Sequence, residues 1–335
     1  MEQSSKAIVR NVFEFKDLPR VPFIPWVCSF AARLEQIEIE EMLSDAGAMS
    51  KSLINAQKLF GYDAIVNIFD SSLEAEACGC QISWSEGTDD RRIVSHPLNE
   101  GANIEDLDLG NFFKRGRIPA VLEATKRIKA VKGKDVAIIG VVTGPITLAS
   151  HLSGDSVCSQ LDQGSDEAVK LIAEAGAVTL KLCRIYCELG VDVVAVAEAM
   201  LGQISPARYQ LLAAPFRTIW NVARYYNIHP LLLSKDCRQE HVEPILGMGA
   251  DGVGLAGGID YTLLSEAARQ LNICYGRPVP NAVFTDPDAT GGDSVISPLS
   301  TQKGCFLSTE WELPATADIN IMHRVADKLR GNQVA

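Results

Sequence analysis

The sequence predicts an α/β protein that folds as a single (β/α)8 barrel, or TIM barrel, over residues 1–335, with an insertion over the top face. Three observations support this fold class. Short apolar segments alternate with amphipathic segments along the whole chain, as a parallel sheet covered on both faces requires. Eight apolar segments can be counted, and no Gly-rich dinucleotide fingerprint follows the first one. A length of 335 residues with 47% hydrophobic residues suits one large barrel core.

The elements follow in the order that a barrel needs. The predicted strands are PFIPWVC (22–28), DAIVNIF (63–69), DVAIIGVV (135–142), VDVVAVA (191–197), PLLLS (230–234) and DGVGL (251–255), with two weaker ones at PNAVF (280–284) and CFLS (305–308). The predicted helices cover roughly 36–59, 119–131, 165–189, 206–226, 240–248, 261–271 and 317–330. The helix at 206–226 has a clear start, because Ser205 can cap it and Pro206 suits its first position.

The stretch from Cys78 to Arg117 is longer and more polar than a simple crossover. We predict that it forms the insertion, with a hairpin around QISW that lies over the top of the barrel.

Charge and composition exclude several classes of function. The net charge of −11 argues against a nucleic-acid partner, because nucleic-acid readers concentrate Lys and Arg. The chain has no run of 18 apolar residues, so no transmembrane helix is predicted, and its first residues lack the apolar core of a secretory signal. Nine cysteines, an odd number, suggest free thiols in a reducing cytoplasm. The oligomeric state stays open, with a homodimer as one candidate.

Polar or aromatic residues follow nearly every predicted strand. In chain order they are Phe30 and Arg33, Asp70, Thr143 and Gly144 with His151, Glu198, Ser234 to Cys237, and Glu310 to Glu312. Active sites of barrels lie at the carboxyl ends of the strands. One polar group there is usually a cap or a turn, but a polar group at nearly every end favours a shared pocket.

The segment HPLLLSKDCRQEH (229–241) is the most unusual of these ends, since Lys235, Asp236 and Cys237 follow directly on an apolar strand. A polar Lys235–Asp236 pair with Cys237 as packing is one interpretation, and a functional site is the other. Asp70 directly ends the apolar run 64–69 and should face the barrel mouth. Glu74 and Glu76 are interpreted as a solvated helix start, where the helix dipole favours acids.

Several motifs carry a resemblance to a known family. They are IPWVCSFAARLEQI, LFGYDAIVNIFDSSLEAEACGC, GRIPAVLEA (116–124), VTGPITLAS (142–150), ISPARYQLLAAPF (204–216) and GCFLSTEWELP (304–314). Together, and in this order, they resemble the uroporphyrinogen decarboxylase superfamily, most closely its branch of corrinoid-dependent methyltransferases. The resemblance spans most of the chain and implies a single (β/α)8 barrel.

The resemblance brings two functions into play. The decarboxylases bind a polycarboxylate porphyrinogen through several arginines near the first strand, and here only Arg33 remains of that group. Asp70 matches their active-site aspartate, but Trp311 stands where they carry a histidine. Decarboxylation is therefore the less favoured alternative.

The methyltransferases move a methyl group between a small molecule and a cobalt corrinoid that a separate protein holds. Many members hold zinc through a His-x-Cys pair after the fifth strand and a Cys after the last, because zinc keeps a thiol substrate deprotonated. Counted from Pro230, these positions are Ser234, Asp236 and Trp311 in this chain, although a gap could bring Cys237 into register. The usual zinc motif is absent.

A different metal set remains open at this end of the barrel. The residues that could form it are Asp236, Cys237, His241 and Glu310 or Glu312. The contrasting interpretation is that these residues hold no metal.

Loss of the thiol-activating motif favours a donor whose leaving group needs electrophilic help, such as an aryl methyl ether. The chain resembles methyltransferase I of anaerobic O-demethylase systems, which implies attack of Co(I) on the ether methyl. The candidate catalytic residues are Asp70, His151, Lys235 and Asp236, and the candidate substrate-binding residues are Trp26, Phe30, Arg33, Glu198 and Trp311. Two further hypotheses are a methylcorrinoid:thiol methyltransferase and a non-catalytic binding barrel.

The resemblance implies two partners, a small methyl donor and a small corrinoid-binding protein. The chain has no DxHxxG-type cobalamin signature of its own. We therefore expect the corrinoid to be supplied in trans.

Overall fold

The computed structural model describes residues 3–85, 91–99, 110–154, 157–286 and 303–330. Seven parallel strands form the main sheet: β1 (Ala64–Val66), β4 (Ala137–Thr143), β5 (Val193–Glu198), β6 (His229–Arg238), β7 (Gly252–Gly258), β8 (Cys274–Val279) and β9 (Cys305–Thr309). Two short strands, β2 (Ile82–Trp84) and β3 (Arg91–Ile93), form a separate antiparallel pair.

Helices connect the strands, so that the chain alternates between the two kinds of element. They are α1 (Ser5–Phe13), α2 (Ser29–Leu34), α3 (Ile39–Ser44), α4 (Ala46–Phe60), α5 (Leu73–Ala77), α6 (Ile118–Lys132), α7 (Pro145–Ser153), α8 (Val157–Asp162), α9 (Asp166–Leu189), α10 (Tyr209–Tyr225), α11 (Gln239–Leu246), α12 (Tyr261–Gln270), α13 (Asn281–Thr285) and α14 (Ile319–Leu329). Short 3-10 helices cover Phe112–Lys114, Leu201–Gln203 and Pro206–Arg208.

The strands of the main sheet are neighbours in the order β1-β4-β5-β6-β7-β8-β9, and every pair is parallel. All residues of β4 and β5 are buried. This agrees with the near-continuous apolar runs from which a sheet covered on both faces was predicted.

The segment 22–24 connects the two edges of this sheet. The amide of Ile24 donates to the Leu307 carbonyl of β9 at 2.7 Å, and the Leu307 amide donates to Pro22 at 2.9 Å. On the other side, the Asp63 amide donates to the Phe23 carbonyl at 2.9 Å, just before β1. The first predicted strand, 22–28, is thus reduced to one bridge between Phe23 and Leu307. A full eight-stranded barrel stays a prediction.

One predicted strand is wrong and one strand was missed. PNAVF lies largely in α13, because a short apolar run has no period that separates strand from helix. The strand beside it is β8, whose sequence CYGRPV contains Gly276 and Pro278 and therefore resembles a turn. The predicted helix 36–59 is two helices, since the Asp45 side chain caps α4 by accepting from the Ala48 amide at 2.7 Å.

The insertion contains the predicted hairpin around QISW, in which Ile82 pairs with Ile93. Arg91 of β3 reaches the ends of two sheet strands, because its guanidinium donates to the Phe69 carbonyl and to Glu312. The β2–β3 pair therefore lies against the carboxyl ends of β1 and β9. All nine cysteines are buried. Within the described ranges, no helix is long and apolar enough to cross a membrane.

Candidate active site at the carboxyl ends of the strands

A cavity of about 520 Å³ lies at the carboxyl ends of β1, β5 and β9, beneath the β2–β3 pair. Phe69 and Trp311 form an aromatic side of this cavity. His151 from α7 and Arg92 and His96 from the insertion form a polar side. Of the residues that follow the predicted strands, Asp70, His151, Trp311 and Glu312 line this cavity.

Asp70 lies in the wall of the cavity and is buried. Its carboxylate accepts from Arg117 at 2.5 Å and from the Ser72 amide and hydroxyl at 2.9 and 2.7 Å, and it lies 3.2 Å from Arg91. Burial alone would raise the pKa of Asp70, but the two guanidinium groups hold that pKa well below its usual range. Asp70 is therefore a fixed anion and not a proton donor.

Arg91 and Arg117 were not predicted from the sequence, although both are almost buried. Arg117 also binds Glu76 at 2.7 Å and lies over the Trp84 ring, with 5.0 Å between its guanidinium carbon and the ring centroid. Arg91 binds Glu312 at 2.7 Å. Both arginines lie in or beside the insertion, where no periodic pattern points to burial. The doublet Arg91-Arg92 inside a predicted hairpin was the available signal.

Lys235 lies against Trp311, which forms part of the cavity wall. The ammonium of Lys235 is 5.8 Å from the Trp311 ring centroid, within the range of a cation–π contact. Trp311 also meets Phe69 edge-on, with 4.9 Å between ring centroids. The carboxyl ends of β6 and β9 therefore lie close together. They place the Lys235 ammonium against the Trp311 ring.

Two buried glutamates hold the turn that leads into α7. Glu198, at the end of β5, accepts from the amides of Ile146 and Thr147 at 2.8 and 3.0 Å. Glu74 accepts from the amide and hydroxyl of Thr143 at 2.7 and 2.6 Å. Burial raises the pKa of each carboxyl group to about 7. Glu74 is therefore not a solvated helix start as predicted, and Glu198 binds the start of α7 instead of lining the cavity.

Three predicted substrate-binding residues lie outside the cavity wall. After Val27 the chain turns into α2, so Phe30 packs against Phe60 with no exposed area. Arg33, on the same helix, donates to the carbonyls of Ala315 and Ala317. Trp26 is buried and stacks behind Phe69 at 5.7 Å, so it supports the aromatic wall without forming its surface.

The residues that follow Ser234 at the end of β6 differ in their exposure to solvent. Asp236 is exposed and has a positive φ of 56°, and Cys237 is completely buried. Burial raises the pKa of the Cys237 thiol to about 11, so it stays protonated near neutral pH. His241 is buried on α11, where its Nδ1 accepts from the Arg238 amide.

Comparison with known proteins agrees with this fold. Residues 4–286 match the family model described as uroporphyrinogen decarboxylase. The chain belongs to the uroporphyrinogen decarboxylase family.

The similar members of this family include corrinoid methyltransferases, which confirms the predicted resemblance to that branch. The methylcobamide:CoM methyltransferase MtbA of Methanosarcina mazei is 28% identical over 201 residues, which cover 58% of this chain and 57% of that enzyme. The methylcobamide:CoM methyltransferase MtaA of Methanosarcina barkeri is 29% identical over 288 residues, or 76% of this chain and 80% of that enzyme. The first match thus spans less than two thirds of its relative.

A solved methyltransferase from Methanosarcina mazei has the same fold. It superposes with a TM-score of 0.81 at 18% identity and covers 98% of this chain and 100% of its own.

The zinc of many family members does not fit the residues present. Within the described part of the chain, no group of three or more His, Cys, Asp or Glu side chains could hold a metal ion. The predicted set is not assembled, because Asp236 is exposed, the protonated Cys237 thiol is buried, and Glu310 is exposed beside the Asn281 amide. The sequence prediction assigned Trp311 to the position of the last ligand.

Proposed function

We propose that this protein is a corrinoid-dependent methyltransferase that moves a methyl group from an aryl methyl ether to the Co(I) corrinoid of a partner protein. Support for methyl transfer comes from the methylcobamide:CoM methyltransferases to which the chain is similar. The observation that carries the choice of donor is the Lys235 ammonium beside the face of Trp311, an aromatic residue of the cavity wall.

The aromatic side of the cavity suits an aryl donor. Phe69 and Trp311 offer an edge-to-face pair against which a further ring can stack. A volume of about 520 Å³ is typical of sites for small molecules. The donor ring would lie on Trp311, with its methoxy group pointing toward Lys235.

The chemistry needs help at the leaving oxygen. Co(I) attacks the methyl carbon in line, the carbon–oxygen bond breaks, and its electron pair goes to the oxygen, which leaves as a phenolate. Lys235 donates a hydrogen bond to this oxygen as its charge builds, and the effect is strong in a site shielded from water. His151, in the polar wall, is the second candidate donor.

Asp70 acts as a fixed anion in this proposal. The Asp70 carboxylate forms ion pairs with Arg91 and Arg117. It therefore orients these guanidinium groups at the cavity and exchanges no proton. Because three carboxylates, Asp70, Glu76 and Glu312, already engage the two arginines, the cluster is poorly suited to a porphyrinogen. The decarboxylase alternative is correspondingly weaker.

The corrinoid is a substrate that a small partner protein presents over the top of the sheet. The methyl transfer takes place in the cytoplasm.

The proposal also includes a closed barrel beneath the site, in which the segment 22–24 serves as the eighth strand.

A second candidate is transfer of a methyl group from a methylcorrinoid to a thiol. The names of the relatives favour it, since both are methylcobamide:CoM methyltransferases. The absence of a fitting zinc set among the described residues disfavours it, because a thiol acceptor relies on zinc to become a thiolate.

Absorption spectroscopy separates the candidates. A protein-bound corrinoid is reduced to Co(I), the protein is added, and methoxylated aromatics are compared with other methyl donors. Loss of the Co(I) band with growth of methyl-Co(III) from an aryl methyl ether supports the proposal. Loss of the methyl group from methyl-Co(III) to a thiol, with no reaction of any ether, establishes the second candidate instead.

A further inference from the structure

The end of β6 contains a β-bulge next to the proposed site. Ser234 pairs with Leu255 of β7, but the next pair is Cys237 with Gly257, so β6 uses three steps where β7 uses two. A bulge of this kind inserts one extra residue and re-aims the side chains beyond it. Lys235 and Asp236 are the residues between the two pairs.

Two glycines hold the backbone of this bulge from opposite sides. A Cβ atom on Gly202 would lie 2.4 Å from the Asp236 carbonyl oxygen, and one on Gly257 would lie 2.2 Å from that of Cys237. Gly257 also has a φ of 137°, which L side chains rarely adopt. Only glycine at both positions lets the neighbouring backbones approach so closely.

Asp236 contributes through its backbone. Its φ of 56° lies in the left-handed region, where Asn, Asp and Gly are tolerated far better than β-branched residues. Its side chain is exposed, away from the cavity wall. The Cys237 Sγ lies 3.6 Å from the Lys235 carbonyl oxygen, inside the bulge.

We propose that this bulge positions Lys235, and that Gly202, Gly257 and Asp236 are positioning residues that place its ammonium over Trp311. The extra residue interrupts the regular alternation of side chains after Ser234, so the direction of the Lys235 side chain depends on the backbone conformation of the bulge. The catalytic part of this inference rests on the proposed function, but the placement of Lys235 does not.

The first test uses tryptophan fluorescence and needs no activity. Lys235→Met removes the cation beside Trp311 and should change its emission in the otherwise unchanged protein. The same substitution in the Gly257→Ala background should change the emission little, because the ammonium no longer lies over the ring. Gly258→Ala is the matched control, since a Cβ there meets nothing within 4 Å, and it should preserve the full effect of Lys235→Met.

A full Lys235→Met effect in a folded Gly257→Ala protein would overturn the inference. If Gly257→Ala does not fold, Asp236→Val and Asp236→Asn replace it, since valine resists the left-handed conformation and asparagine accepts it. Only Asp236→Val should then abolish the effect of Lys235→Met. An equal loss in both variants would assign the role to the carboxylate and contradict the inference.

The second test is a double-mutant cycle in the methyl-transfer assay. Lys235→Met and Gly257→Ala should each lower kcat by about 10²-fold, and the double variant should be no slower than Lys235→Met alone. Multiplied effects would contradict positioning through Lys235. If the fluorescence cycle holds while no methyl donor reacts, the proposed function fails and the positioning role stands.

Discussion

Arg117 and Asp70 form a buried ion pair with 2.5 Å between Nη1 and Oδ2. The pair joins the end of β1 to the start of α6, and Arg91 brings the insertion to the same carboxylate at 3.2 Å. The end of β1 is thus bound to both the β2–β3 pair and the start of α6. Asp70, which was predicted to be catalytic, therefore has a structural role in the site through these ion pairs.

Removal of Arg117 should destabilise the protein strongly. Arg117→Met leaves the buried Asp70 carboxylate with one guanidinium fewer, and breaking a buried pair costs about 3–5 kcal/mol of unfolding free energy. Urea unfolding measures this cost. Arg127→Met is the control, since its pair with Glu123 on the surface of α6 contributes about 0.3–0.5 kcal/mol. Similar losses in the two variants would contradict the anchoring role.

The stability should fall as the pH rises from about 4.3 through about 7. Burial raises the pKa of Glu74 and of Glu198 to about 7, above the value of about 4.3 for a glutamate in an unfolded chain. The contribution of each group is fully present below about pH 4.3 and is lost as the pH rises through about 7, at up to roughly 1.4 kcal/mol per pH unit.

Glu198→Gln should remove about half of this pH dependence, because Glu74 retains its own share. Unfolding free energies between pH 5 and pH 8 measure the change. Glu188→Gln, at a half-exposed position on α9, should leave the pH dependence intact. A Glu198→Gln protein with the pH dependence of the parent would show that this carboxyl group does not titrate in the expected range.

Loss of the Lys235 ammonium should slow methyl transfer without weakening substrate binding. Lys235→Met is expected to lower kcat by about 10²-fold with little change in KM, because the ammonium acts on charge that develops during the reaction. The deficit should shrink for a nitro-substituted aryl ether, whose phenolate needs less help. Lys170→Met, on the exposed surface of α9, is the control. A deficit independent of the leaving group would contradict the assigned role.

Substitutions at Phe30 and Trp311 should have different effects. Loss of the Phe30 ring should lower the unfolding free energy, and loss of the Trp311 ring should weaken donor binding. Phe30→Ala removes a fully buried ring and should cost about 3–5 kcal/mol of unfolding free energy, with an unchanged KM in the protein that remains folded. Trp311→Leu removes the aromatic wall and should raise KM for an aryl donor about tenfold at a smaller cost in stability. A raised KM in Phe30→Ala would place that ring in the site after all.

The apolar strands were predictable because burial on both faces leaves a near-continuous hydrophobic run, as in β4 and β5. β8 was not, because Gly276 and Pro278 interrupt its run although its backbone pairs on both sides. The hydrophobic pattern of a segment reflects the preferences of its own residues. It does not show which backbone hydrogen bonds the neighbouring strands provide.

The same limit explains the site. Asp70 was predicted because it directly follows an apolar strand, and Trp311 because it lies in the segment that follows the last one. Arg91, Arg117 and Glu74 were missed or misread because their burial depends on partners far away in the chain, and a charged residue in a polar segment is usually solvated. Asp236 was misplaced because a bulge, which sequence period cannot reveal, changes the faces at the end of β6.

Transfer of a ¹³C-labelled methyl group tests the proposed function most directly. An aryl methyl ether labelled at the methoxy carbon is incubated with this protein and a Co(I) corrinoid protein, and the products are followed by NMR. We expect one equivalent each of labelled methyl–cobalt and free phenol, with the rate strongly reduced in Lys235→Met. An unchanged ether, in the presence of a corrinoid that methyl iodide still methylates, would contradict the proposed function.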